Sequence, residues 1–244
     1  MVATASALHA AGYEVLRLHL RDHGATHHLN REVFHSCRLA EVVDAVEILA
    51  GEEPELPSVL VGFSLGGHFG LRVALAAPGR AIPLRAVVAV NPLLNPRRTM
   101  QRMDGGFRIY RDHFAEKWRR SLRKKQAAFP GLYDFGEFER IRSLMQMTDY
   151  LIQQHTDYPT LDDYLNGYFI GEDRLAKLEV PSLLITAEDD PVVVIEDFRR
   201  LEASDALRVE AHAYGGHCAF FSSLRLESWI EKRVVAALDE VYAQ

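Results

Sequence analysis

The sequence predicts an α/β fold: a mostly parallel sheet flanked by helices, interrupted by one helical insertion. Three observations carry this expectation. Short β-rich runs alternate with longer stretches of helical character. Several of those runs are nearly continuous in Val, Ile and Leu, as strands buried on both faces should be. One long segment, residues 95–176, breaks the alternation and shows no convincing strand.

The elements follow in order. Residues 13–20 (YEVLRLHL) read as the first strand, and a polar loop with His23, His27 and His28 follows. A helical pattern covers 38–49, then a strand at 58–63 (SVLVGF), a helix over 66–77 and a strand at 86–90 (AVVAV). Pro96 opens the insertion, which is helical, basic and aromatic, and Glu179-Val180-Pro181 marks the return to the sheet. A strand at 182–187 (SLLITA), a helix over 195–201, a strand at 207–213 (LRVEAHA) and a helix over 226–241 complete the chain. Right-handed crossovers between such strands place helices on both faces of the sheet. The expected organisation is a core over 1–95, a helical cap over 96–178 and the rest of the core over 179–244. The insertion is expected over the carboxyl edge of the strands, where open parallel sheets bind their ligands.

Composition narrows the function. A chain of 244 residues suits one domain, or one with an inserted cap, and 48% hydrophobic residues suffice for a sizeable core. A net charge of −6 and a pI near 6.0 give no sign of a nucleic-acid partner. Charge is unevenly spread, however. Residues 97–125 hold eleven Lys or Arg and three acids, a local +8 that leaves −14 elsewhere. Arg119, Arg120, Arg123 and Lys124 recur at helical spacing and read first as a solvated helix face. Weak contact of this basic cap with an anionic membrane surface is the second reading. The two cysteines, Cys37 and Cys218, form no metal-site or disulfide pattern and fit a reducing compartment. No apolar run reaches the ~18 residues of a membrane span. The N-terminus lacks a basic n-region, so a cytoplasmic protein is expected.

Gly62-Phe63-Ser64-Leu65-Gly66 carries the chemistry. The G-x-S-x-G pattern is weak alone, but here a β-rich run precedes it and a helical pattern follows, the context of a nucleophile elbow. Its nucleophile would be Ser64, in a strained turn for which Gly62, Gly66 and Gly67 are read as making room. The Leu65 backbone N–H would donate to an oxyanion at the helix N-terminus. Serine needs a base, and in this arrangement an acid and then a histidine follow along the chain. Glu188, Asp189 and Asp190 end one strand, and Gly215-Gly216-His217 follows the next. His217 is the expected base. Asp190, directly before Pro191, is the preferred acid, with Asp189 the alternative; whichever acid is not used would bond to the turn. His212 reads as a strand residue, and His68 as a core histidine or part of the pocket floor. His23, His27 and His28 read as a solvated loop; the spacing of a metal site is missing, and no metal or organic cofactor is expected.

With these residues in hand, the chain resembles the YheT-like branch of the α/β hydrolases, which includes the eukaryotic ABHD-type lipid esterases. The matching stretches are 18–24 (LHLRDHG), 33–36 (VFHS), 62–67 (GFSLGG), 110–114 (YRDHF), 142–150 (RSLMQMTDY) and 162–164 (DDY). Val180-Pro181, 187–191 (AEDDP) and 215–221 (GGHCAFF) complete them. The resemblance implies an α/β-hydrolase fold and hydrolysis of small-molecule carboxylic esters, often of acyl chains. It also implies that the second Asp of the Asp-Asp-Pro motif, Asp190, is the acid. Two departures stand out. His68 occupies a position where the family usually has Asn. The strand and His-Gly loop that the family places before its first helix, and which supply a second oxyanion donor, have no counterpart before Met1. A fragment, or a start assigned too late, is therefore expected, as is a gap in the sheet beside residues 13–20 unless its neighbours pair directly. Phe107, Tyr110, Phe114, Trp118, Phe129, Tyr133, Phe135 and Phe138 would roof an apolar pocket or pack the cap. Transfer of the acyl group to an acceptor other than water, or ligand binding without turnover, are the alternatives to ester hydrolysis.

Overall fold

The computed structural model describes residues 1–202, 204–221 and 228–242. Four strands form one parallel sheet in the order β1-β2-β3-β4: β1 Ser58–Phe63, β2 Leu84–Val90, β3 Ser182–Ala187 and β4 Leu207–His212. The helices are α1 Val2–Ala10, α2 Leu39–Glu52, α3 Leu65–Arg80, α4 Pro96–Gly105 and α5 Arg108–Ala128, followed by α6 Leu144–His155, α7 Leu161–Gly167, α8 Ile195–Arg199 and α9 Ile230–Tyr242. This is the expected α/β architecture, a parallel sheet flanked by helices. The expected strand and helix order is found, except at the first strand.

The chain forms two compact units that do not follow chain order. One comprises Met1–Arg17, Leu39–Asn95 and Ile170–Gln244; the other comprises Leu18–Arg38 and Pro96–Phe169. In the first, alternation along the strands sorts side chains to the two faces of the sheet. Val88, Val90, Leu183, Ile185 and Ala187 join Leu8 of α1 and Ile230, Val234, Ala237 and Leu238 of α9 in one buried cluster. On the opposite face α3 packs against β1 and β2, with Gly70 close to Val87 and Gly67 close to Ala89. Eight consecutive α3 residues, from Gly67 to Ala74, are buried, which is why this helix shows no polar stripe. The central strands are buried along their length, with Arg85 the one exposed residue of β2 and β3. The edge strands β1 and β4 are only partly buried.

Residues 13–20 were expected to be a strand and are not one. Tyr13 and Val15 pack against the core cluster while Leu16 and Leu18 are exposed, so the apolar pattern is used for packing without a hydrogen-bonded ladder. Strand propensity describes side chains that suit a pleated surface; a strand also needs a partner backbone. Among the described residues β1 pairs with β2 alone, and nothing pairs directly across the expected gap.

In the second unit, residues 18–38 are tied to α5 by a buried ion pair. Lys125 is fully buried; its Nζ donates to Asp22 Oδ1 (2.9 Å) and to the carbonyls of His27 (3.3 Å) and Asn30 (2.5 Å). Asp22 Oδ2 accepts from Phe34 N (2.8 Å), and Ser121 Oγ donates to the Asp22 carbonyl (3.1 Å). With its hydrogen so committed, Ser121 Oγ accepts from His27 Nε2 at 2.8 Å. His27 is therefore buried, not solvated as its loop suggested, and burial holds its pKa below the usual imidazole value. His23 stays exposed, edge-on to Phe34 with ring centroids 4.9 Å apart. Of the insertion's aromatics, Phe135 and Phe138 are buried, and Trp118 meets Phe138 edge-on at 5.4 Å. Phe107, Tyr110 and Phe114 are exposed.

Removing Lys125 strands a buried carboxylate, so Lys125→Ala is expected to destabilise this unit by about 3–5 kcal/mol. Urea unfolding read from Trp118 fluorescence in a Trp229→Phe background measures the loss. Adding Asp22→Asn to Lys125→Ala should recover part of it, whereas an unchanged midpoint for the single variant would remove the pair as the tie.

Candidate active site

One residue, Ser64, separates the last residue of β1 from the first of α3. It is held at φ 50° and ψ −119°, a conformation that L-residues rarely adopt and that stores on the order of 1–3 kcal/mol. Two backbone bonds fix it: Ser64 N donates to the Val90 carbonyl (2.8 Å), and the Ser64 carbonyl accepts from His68 N (3.0 Å). The turn closes because Gly62 has no side chain; a Cβ there would overlap the Gly66 carbonyl and Gly67 N. Gly67 is also needed, since its Cβ would lie 2.9 Å from the Gly62 carbonyl oxygen. Gly66 is different. A Cβ at Gly66 would meet nothing within 4 Å, so its expected steric role is not present. Leu65 occupies the first helical position, where a backbone N–H has no carbonyl of its own helix to bond and an anion is favoured.

The expected acid and base lie in the turns beyond β3 and β4. Asp190 lies beyond β3 and is buried, with 1% of its surface exposed. Its Oδ1 accepts from Val192 N (2.7 Å) and Val193 N (3.1 Å), bonds that the turn at Pro191 creates. Its Oδ2 lies 2.8 Å from His217 Nδ1, and His217 Nε2 lies 2.9 Å from Ser64 Oγ. Residues 153 positions apart in sequence thus meet in one hydrogen-bonded chain. Asp189 faces elsewhere: its Oδ1 accepts from Gly215 N (2.9 Å) and Gly216 N (2.8 Å) and so shapes the turn that delivers His217.

Sequence reasoning missed Asn91. It follows β2 at φ 44°, is fully buried, and its Nδ2 donates to Asp190 Oδ2 and to the Gly216 carbonyl (3.1 Å). One side chain therefore links Asp190 to the loop that carries His217. Asn after a buried strand is a common turn residue, so nothing in the pattern alone singled it out.

Among the described residues the side chains of His68 and His212 make no bond to this chain of residues. His68 is fully buried, with Nδ1 2.8 Å from the Leu93 carbonyl. Burial, reinforced by the Arg72 charge, pushes its pKa down to about 3, so it is a neutral core histidine. The His212 ring packs edge-on to Trp229 (4.7 Å) and Phe220 (5.9 Å). Burial, with the Asp190 charge, pushes the Cys218 thiol up to about 12, and its Sγ approaches the Val90 carbonyl at 3.7 Å. A thiol pKa raised this far leaves no thiolate at neutral pH. Iodoacetamide at neutral pH is therefore expected to leave Cys218 unmodified in the folded protein, read by mass spectrometry; alkylation that precedes unfolding would contradict the burial. The elbow supplies a second test. Gly66→Ala should fold and keep a reactive Ser64, whereas Gly62→Ala should abolish Ser64 reactivity toward a fluorophosphonate, and equal losses would show that both positions are sterically required.

Comparisons with known proteins agree with this architecture. No curated protein matches the sequence. The structure of a meta-cleavage product hydrolase, CumD, superposes with a TM-score of 0.60 at 15% identity, over 97% of this chain and 83% of that one. A structure of the metagenome-derived lipolytic enzymes LipS and LipT gives 0.54 at 15% identity, covering 100% and 87%. Rv0554 from Mycobacterium tuberculosis gives 0.54 at 19% identity, covering 98% and 82%. At such identities these likenesses concern the fold. A model of the alpha/beta hydrolase family matches residues 2–226, and the chain belongs to that family.

Proposed function

We propose that this protein is a serine hydrolase that cleaves carboxylic esters through an acyl-enzyme. The observation that carries the reading is the bonded sequence Ser64 Oγ, His217 Nε2, His217 Nδ1 and Asp190 Oδ2, at 2.9 and 2.8 Å across its two gaps. Such spacing lets a histidine take the serine proton as the oxygen attacks a carbonyl, then return it to the leaving alcohol. In this reading Asp190 holds the imidazole with Nδ1 protonated and stabilises the imidazolium, while Asn91 and the Val192 and Val193 amides keep the carboxylate in place. The Leu65 N–H is the proposed oxyanion donor, and water then repeats the sequence on the acyl-enzyme. The family resemblance favours acyl esters as substrates and a member of the YheT-like branch.

Ligand binding without turnover is favoured by one observation. The edge strand β1 is only half-buried and residues 13–20 do not extend the sheet beside it. The same experiment separates the two readings. A fluorophosphonate should label the wild type, and labelling should be lost in Ser64→Ala and His217→Ala. Asp190→Asn should lower kcat on a short-chain acyl ester by on the order of 10⁴-fold, the loss seen when the base has the wrong tautomer. Asp189→Asn retains an accepting oxygen for the glycine amides and should keep most of the rate. Folded wild type that neither labels nor turns over any ester would leave the binding reading in place.

A further inference from the structure

The helical unit contains a second concentration of chemistry, independent of Ser64 and of the hydrolase reading. Arg108, Arg111, Asp112, Ala115, Arg119 and Arg142 line a cavity of about 150 Å³. Sites for drug-sized ligands occupy roughly 300–1,000 Å³, so this one fits a small group. Four guanidinium groups face one carboxylate there, a local charge of +3 before Glu116 is considered.

The partners of these arginines leave much of that charge uncompensated. Arg111 pairs with Asp112 at 2.8 Å. Arg119 donates to the Ile141 carbonyl (2.6 Å) and has only a distant Glu116 oxygen at 3.9 Å, and its Nε is buried without a hydrogen-bond partner. Among the described residues Arg108 and Arg142 make no salt bridge, and both are exposed. An unpartnered buried donor costs about 1–3 kcal/mol, and clustered like charges add to that.

The helix itself points the same way. Arg108 and Arg111 sit in the first turn of α5, where the backbone dipole favours anions and disfavours cations. That turn contains no acidic residue, and Phe107 at the N-cap has no side-chain acceptor for the free N–H groups. A bound oxyanion would reverse each of these unfavourable arrangements at once. Arginine suits a phosphate group in particular, since its planar fork matches two oxygens at a time.

We propose that the cavity at the start of α5 is a binding site for a phosphate group. Such a group reaches the site either free in solution or on the headgroup of an anionic lipid. Phe107 and Ile109, 74% and 83% exposed beside Arg108, are placed to enter a bilayer interface once the headgroup is held.

The test uses the full chain. Thermal unfolding is followed in sodium phosphate and in sodium chloride of matched ionic strength. Co-sedimentation is measured with vesicles of phosphatidylcholine alone or mixed with phosphatidic acid. Arg108→Gln/Arg142→Gln removes two exposed, unbridged residues and should fold normally. Arg120→Gln/Lys124→Gln removes the same amount of charge from α5 outside the cavity. A phosphate-specific rise in Tm for wild type and the control pair, absent in Arg108→Gln/Arg142→Gln, supports the site with free phosphate as its ligand. Sedimentation with acidic vesicles that needs the Arg pair, and that also falls in Phe107→Ser/Ile109→Ser, supports the lipid headgroup. No effect of either ligand on the wild type overturns the proposal, and so does an equal loss in both charge-removal variants.

Discussion

The carboxyl edge of the sheet depends on the empty space at Gly62. Because nothing projects from that position, α3 begins one residue after β1 ends, and its first turn lies against the strand. Ser64 is forced to positive φ at the crossing and its side chain is presented beyond the strand ends. Any longer connection would let the serine relax into an ordinary conformation and lose its fixed direction.

The strand ends then hold the other groups in step. Ser64 N bonds to the Val90 carbonyl, Asn91 N to the Ile185 carbonyl (2.7 Å) and Glu188 N to the His212 carbonyl (2.8 Å). These bonds carry the ladder one residue past β1, β2 and β3, up to the last residue of β4, so the turns after the four strands start from one rigid edge. Ser64, Asn91, Cys218 and Phe220 all have positive φ without being glycine, so backbone strain collects at this edge. The buried sheet, closed on one face by α1 and α9 and on the other by α3, provides the surplus of packing that tolerates it.

The helical unit uses charge differently from the way its composition suggests. The basic run looks uniform, yet its members are divided among distinct tasks. Lys125 lies inside, bonded to Asp22 and two carbonyls. Arg123 spans Glu116 and Glu139 on the surface, where such pairs contribute ~0–1 kcal/mol. Arg108, Arg111, Arg119 and Arg142 surround a cavity, and Arg142 is 17 residues beyond the end of the run. Periodicity sorted Arg119, Arg120, Arg123 and Lys124 onto one helix face, but the unit places Arg119 partly inside and Arg120 outside.

Local chemistry was enough to determine the order of β1 to β4 and of the helices between them, the turn at Ser64, and the positions of Asp190 and His217 beyond strand ends. Apolar runs of strand length, a glycine-flanked serine and a proline after an acid each act within a few residues, so the sequence displays them directly. Tertiary structure alone decided the rest. Whether 13–20 becomes a strand depends on a partner backbone, and which of Asp189 and Asp190 meets His217 depends on which carboxylate the Gly215 and Gly216 amides occupy. Asn91 acquires its place by meeting residues 99 and 125 positions away. Residues 18–38 join the helical unit because a lysine more than a hundred positions distant neutralises Asp22. Each of these outcomes is set by a partner that the chain brings close only on folding, and no local pattern encodes it.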